Sequence, residues 1–88
     1  MENSKNKFDL SMAYTVPIEN LRVGSVFFED TSPEVWEVTG NHFNPDVNAD
    51  FTDVKLIGYL DGCEGDLSRI GKTDAFALVE VIRIQRAK

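Results

Sequence analysis

The sequence predicts an all-β domain, with at most one or two short helical turns, built as a small barrel or sandwich. Three observations carry this. The apolar residues alternate with polar ones or form short continuous runs, and none holds the 3.6-residue period over ~11 positions that an amphipathic helix needs. Turn-forming clusters punctuate those runs, among them Asp30-Thr31-Ser32-Pro33, Asn44-Pro45-Asp46 and Asp61-Gly62. β-branched residues crowd the longest run, Phe76 to Ile84.

Residues 1–7 are polar and charged, and are expected to form a disordered tail ahead of a single domain spanning residues 8–88. Phe8 and Leu10 have the apolar character to pack back on the body. Met12, Tyr14, Val16 and Ile18 share one parity, which predicts a half-buried strand; Pro17 has no N–H to donate and belongs at an edge or a strand end. Leu21 and Val23 lead to Gly24, which permits a tight bend.

Leu21–Gly40 then reads as a β-hairpin holding the single Trp. If one face is to be apolar, Phe28 lies opposite Trp36 and Val26 opposite Val38. The other face then carries Ser25, Glu29, Glu37 and Thr39, with Phe27 and Val35 needing cover. No Asn-Gly or Asp-Gly sits between the strands, so a loop of three to five residues on a type I turn is expected around Asp30–Glu34. Residues 41–53, rich in Asn and Asp, read as a long loop with one helical turn near Asn44-Pro45, anchored by Phe43, Val47 and Phe51. Val54–Leu60 reads as a strand. Residues 63–74 read as a loop in which Leu67 and Ile70 allow a helical turn. Phe76–Ile84 is apolar on both parities in its middle, which predicts a central strand. Glu80 falls within it, and a bulge that carries the carboxylate to the surface is favoured over a buried charge.

The phrase Leu-Arg-Val-Gly-Ser-Val-Phe-Phe, followed by Glu-Val-Trp-Glu-Val-Thr-Gly, resembles the opening hairpin of small SH3-like barrels. The resemblance covers about twenty residues and implies a barrel of about five strands rather than a sandwich.

A chain of 88 residues makes one domain, and a domain of this size buries only roughly 60–65% of its unfolded surface. At 42% its apolar content suits a globular fold. The lone Cys63 cannot make an internal disulfide and points to a reducing compartment. No run approaches the ~18 apolar residues of a membrane span, and the first residues lack the apolar core of a secretory signal. The expectation is a cytoplasmic protein with no membrane contact. The net charge of −6 is unevenly spread: residues 29–66 hold ten acids against Lys55 alone, whereas residues 67–88 hold five bases against Asp74 and Glu80.

Several chemistries are poorly served. Asp46-Val47-Asn48-Ala49-Asp50 opens like a calcium loop, but an EF-hand needs Gly where Phe51 stands and Glu where Ile57 stands. Gly71-Lys72-Thr73 resembles the end of a phosphate-binding loop without the earlier Gly or the following helix. One His and one Cys make a poor zinc set, and Glu64 and Asp66 beside Cys63 oppose a reactive thiolate. The acidic middle opposes direct nucleic-acid binding despite Phe27, Phe28, Trp36 and Tyr59. No catalytic residue, metal or cofactor is therefore expected, and the chain is not expected to be an enzyme.

What remains is a small acidic module for protein–protein interaction. Glu29, Asp30, Glu34, Glu37, Asp46, Asp50 and Asp53 are the candidate partner-binding residues, meeting a basic protein surface. In its sharpest form the module is an inhibitor, a nucleic-acid mimic that sets carboxylates where phosphates would lie. The alternative is a structural or assembly accessory subunit that self-associates through strand edges and through Phe27 or Val35.

Overall fold

A computed structural model describes residues 7–63 and 65–87. Six strands are present: β1 (Phe8–Pro17), β2 (Val26–Phe28), β3 (Glu34–Asn44), β4 (Ala49–Tyr59), β5 (Thr73–Phe76) and β6 (Glu80–Arg86). Two 3-10 turns, Ile18–Asn20 and Leu67–Arg69, are the only helical elements among the described residues. The strands form one antiparallel sheet in the order β1-β6-β2-β3-β4-β5. The all-β class is as the sequence predicts. The closed SH3-like barrel of about five strands is not, because β1 and β5 are the edges of an open six-stranded sheet.

The hairpin register departs from the sequence reading by one residue. Phe27 pairs with Trp36, Val26 with Glu37 and Phe28 with Val35. Phe27 therefore shares a face with Trp36, and Phe28 takes the opposite one. The physical reason is that both faces of the sheet are buried here. On one face Phe27, Trp36, Val38, Val54, Leu56 and Val81 pack with Ile18 and Leu21 from the first 3-10 turn and its exit. On the other, Val26, Val35 and Ile84 pack with Phe8. With both sides apolar, Val-Phe-Phe carries no alternation to fix its parity. Phe27 and Val35 are fully buried, so neither is available for self-association.

Phe8 explains how an open sheet covers its second face. It pairs with Arg86 at the β1 edge, yet its ring reaches 3.4 Å from where a Gly58 Cβ would stand on β4. Gly58 leaves room for that crossing, and the sheet coils tightly enough to bring it about. Between Asp9 and Tyr14 the β1–β6 register shifts; Met12 and Tyr14 are exposed rather than half-buried, and Leu10 is exposed rather than packed back on the body. The expected disordered tail lies outside the described residues except for Lys7, whose N–H donates to Asp61 Oδ1 (3.0 Å) and whose carbonyl accepts from Ala87 (2.9 Å).

The predicted strand Phe76–Ile84 is two strands. β5 pairs with β4 at one sheet edge, and β6 lies between β1 and β2. Ala77–Val79 carry the chain across, leaving Leu78 exposed. Apolar side chains on both parities came from two strands meeting different neighbours. Glu80 opens β6 opposite Pro17 and is exposed, through this break rather than through a bulge. The expected turn at Leu67–Ile70 is present; Asp66 caps it by accepting from the Ser68 N–H (2.9 Å). That segment is strapped to the body by the Tyr59 hydroxyl donating to the Asp66 carbonyl (2.8 Å) and by the Arg69–Glu34 ion pair. No helix of the described residues is long and apolar enough to cross a membrane.

Candidate functional site

Residues 41–53, expected as a loop, are strand on both sides of a four-residue turn. β3 and β4 continue past the body as a two-stranded ribbon, paired from Asn41↔Thr52 to Asn44↔Ala49. Pro45–Asn48 form its tip. Asp46 N–H donates to Asn44 Oδ1 (2.9 Å), and Asn48 takes a left-handed conformation (φ 53°), which Asn tolerates better than most residues. The Asn and Asp residues that argued for a loop therefore shape the turn or stand on solvated ribbon faces. The missed signal was Asn-Pro-Asp-Val-Asn, a turn cluster flanked on both sides by aromatics at alternate positions, Phe43 and Phe51.

Among the described residues no strand pairs with the outer edges of the ribbon. The β2 side of β3 is bonded as far as Val38, whose carbonyl accepts from Gly24 and whose N–H donates to Ser25. β5 leaves β4 at Thr52↔Phe76. Thr52 is buried and marks the base of the ribbon. Beyond it, two-stranded pairing alone is marginal in water, and side chains on one face add to it. The His42 ring stacks on Phe51 across the strands (centroids 5.7 Å apart, planes at 16°), and His42 Nδ1 lies 3.0 Å from an Asp53 carboxylate oxygen. Phe43 and Val47 are 54% and 59% exposed.

The seven candidate carboxylates do not gather into one patch. Glu29 and Asp30 stand at the β2–β3 turn, closed by Ser32 N–H donating to Glu29 (3.0 Å). Asp46 and Asp50 stand on the ribbon, at the other end of the eleven-residue β3, and that length is roughly 33 Å at ~3.3 Å per residue. The other three meet side chains of the chain itself. Glu34 pairs with Arg69, and that hydrogen bond holds the guanidinium above its ordinary pKa. Glu37 lies 3.3 Å from Arg86 and 4.0 Å from Lys55, and Asp53 faces His42. The C-terminal bases thus partly neutralise the acidic middle, a pairing that the linear charge tally could not show.

His42 and Cys63 are not brought together. His42 pairs with Phe51 near the start of β4, and Cys63 follows the far end of that strand. About eight strand residues separate them, roughly 26 Å. Asp46 lies in the ribbon turn and Asp50 on β4, and no group of three or more His, Cys, Asp or Glu side chains among the described residues could hold a metal ion. Gly71-Lys72-Thr73 forms the turn into β5, with Gly71 at φ 98° and its N–H donating to Leu56. Comparison with known proteins gives no matching family model, no matching curated protein and no matching solved structure.

Proposed function

We propose that the chain acts by binding another protein rather than by catalysis, and that its contact element is the β3–β4 ribbon beyond Gly40. The observation that carries this is the ribbon itself: a strand pair whose outer edges meet no further strand among the described residues, bearing exposed Phe43 and Val47 beside the exposed carboxylates of Asp46 and Asp50. Apolar anchors next to charges of one sign suit a partner surface with an apolar pocket and a basic rim. A free β edge adds main-chain hydrogen bonds to such a contact. An inhibitor that stands in for nucleic acid would use Asp46 and Asp50 at the ribbon, since Glu34 and Glu37 are engaged by cations within the chain and Asp53 by the His42 ring.

Capture experiments on the full chain test this. Wild type is expected to retain a partner at low salt and lose part of it at high salt. Phe43→Ala should weaken capture by roughly tenfold or more, as removal of an apolar anchor does. Glu29→Gln with Asp30→Asn, at the opposite end of β3, should leave it unchanged. Capture that depends on the latter pair and ignores Phe43 would move the contact to the β2–β3 turn.

A further inference from the structure

The surface beside the ribbon's base complements the ribbon. A cleft of about 480 Å3 lies there, lined by Tyr14, Arg22, Val23, Gly24, Ser25 and Arg83 among others. Val23 is 67% exposed. Arg83 is half-buried; its Nη1 donates to the Tyr14 hydroxyl (3.2 Å), and its guanidinium carbon lies 5.9 Å from the centre of the Tyr14 ring. Arg69 and Arg86 each meet a glutamate, whereas Arg22 and Arg83 meet no carboxylate among the described residues. In a chain of net charge −6, two arginines in one cleft, neither meeting a carboxylate of the described residues, present fixed donors to an anionic group.

The cleft is also in line with the free edge. Gly24 and Ser25 bond to Val38 on the β2 side of β3, so the cleft begins where that pairing stops and the bare Asn41–Asn44 edge starts.

We propose that the ribbon docks on this cleft in a second copy of the chain, about a two-fold axis that sets the bare Asn41–Asn44 edges of the two β3 strands antiparallel. This rests on the reading of the ribbon as the contact element and names its partner. With a rise of ~3.3 Å per residue in each strand, an axis near Phe43 brings residues 46–47 of one copy level with residues 39–40 of the other. The ribbon tip then reaches the partner's cleft. Val47 covers the partner's Val23, Asp46 meets the partner's Arg22, and the two Phe43 rings meet beside the axis. The edges gain main-chain hydrogen bonds, the Asp–Arg pairs are charge-assisted, and a two-fold contact closes at two copies without leaving a propagating end.

Sedimentation of the full chain, with charge reversal, tests this. Wild type is expected to pass from monomer to dimer over about 1–100 µM by mass action. Arg22→Glu and Asp46→Lys, both at exposed positions, should each weaken the dimer at least about tenfold, and the double variant should recover most of that loss. Amide exchange of wild type needs no variant: protection of residues 41–44 should rise with protein concentration. A wild type that stays monomeric across the range overturns the proposal, as does a dimer indifferent to both reversals or exchange at residues 41–44 that ignores concentration. If the chain is monomeric yet still captures another protein through Phe43, only the choice of partner fails. If it neither dimerises nor captures, the ribbon reading fails with it.

Discussion

Trp36→Ala is expected to lower the unfolding free energy by ~3–5 kcal/mol, the usual cost of truncating a buried Trp to Ala. Trp36 is 4% exposed and packs edge-on to Phe76 (centroids 5.5 Å apart, planes at 64°). It therefore holds the four-residue edge strand β5 against the body as well as filling the first core cluster. A stability of ~5–15 kcal/mol would lose a large share, and the melting midpoint should fall by more than about 12 °C at ~4–8 °C per kcal/mol. Urea denaturation followed by far-UV circular dichroism measures this without the lost fluorophore. A loss below about 1 kcal/mol would place Trp36 at the surface.

Phe27→Asp should be worse, and should prevent folding. Phe27 is fully buried, flanked by Trp36 on β3 and Arg83 on β6, and packed edge-on to Phe76 at 5.6 Å. The substitution removes a large core side chain, about 3–5 kcal/mol, and sets a carboxylate where desolvation adds several kcal/mol more. Together these rival the whole stability of a small domain. Phe28→Asp is the informative comparison, because Phe28 is only half-buried, on the opposite face. In the register suggested by a single apolar face, the severities would be reversed: Phe28 inside, Phe27 outside. Soluble yield and far-UV spectra of the two variants distinguish the registers directly.

That reversal shows where the sequence stops being legible. Strand placement followed from runs and turn residues, and the breaks at Gly24, at Asp30–Pro33 and at Asp61-Gly62 fall where those residues put them. Parity did not follow, because Val26-Phe27-Phe28 is apolar throughout and the coiled sheet buries both of its faces. The run Phe76–Ile84 failed for a related reason. Continuous apolar sequence carries no mark at the point where the chain leaves one sheet edge and joins the far side of the sheet. The ribbon was hidden by composition. Asn and Asp at Asn41, Asn44, Asp46, Asn48 and Asp50 are the residues of loops, and only pairing across Asn44↔Ala49 makes them the faces and tip of a hairpin. Among the candidate carboxylates, the sequence could locate the acid but not its partners, since Arg69 and Arg86 lie 35 and 49 residues from the glutamates they meet.

The central claim is that residues beyond Gly40 are the contact element and not part of the folding core. The most direct measurement is the binding of a chain in which residues 42–51 are replaced by Asn-Gly, a two-residue turn suited to closing the Asn41–Thr52 pair. The expected result is a domain that melts within a few degrees of wild type and neither dimerises nor captures a partner. A folded, ribbon-less domain that binds as wild type does would contradict the account.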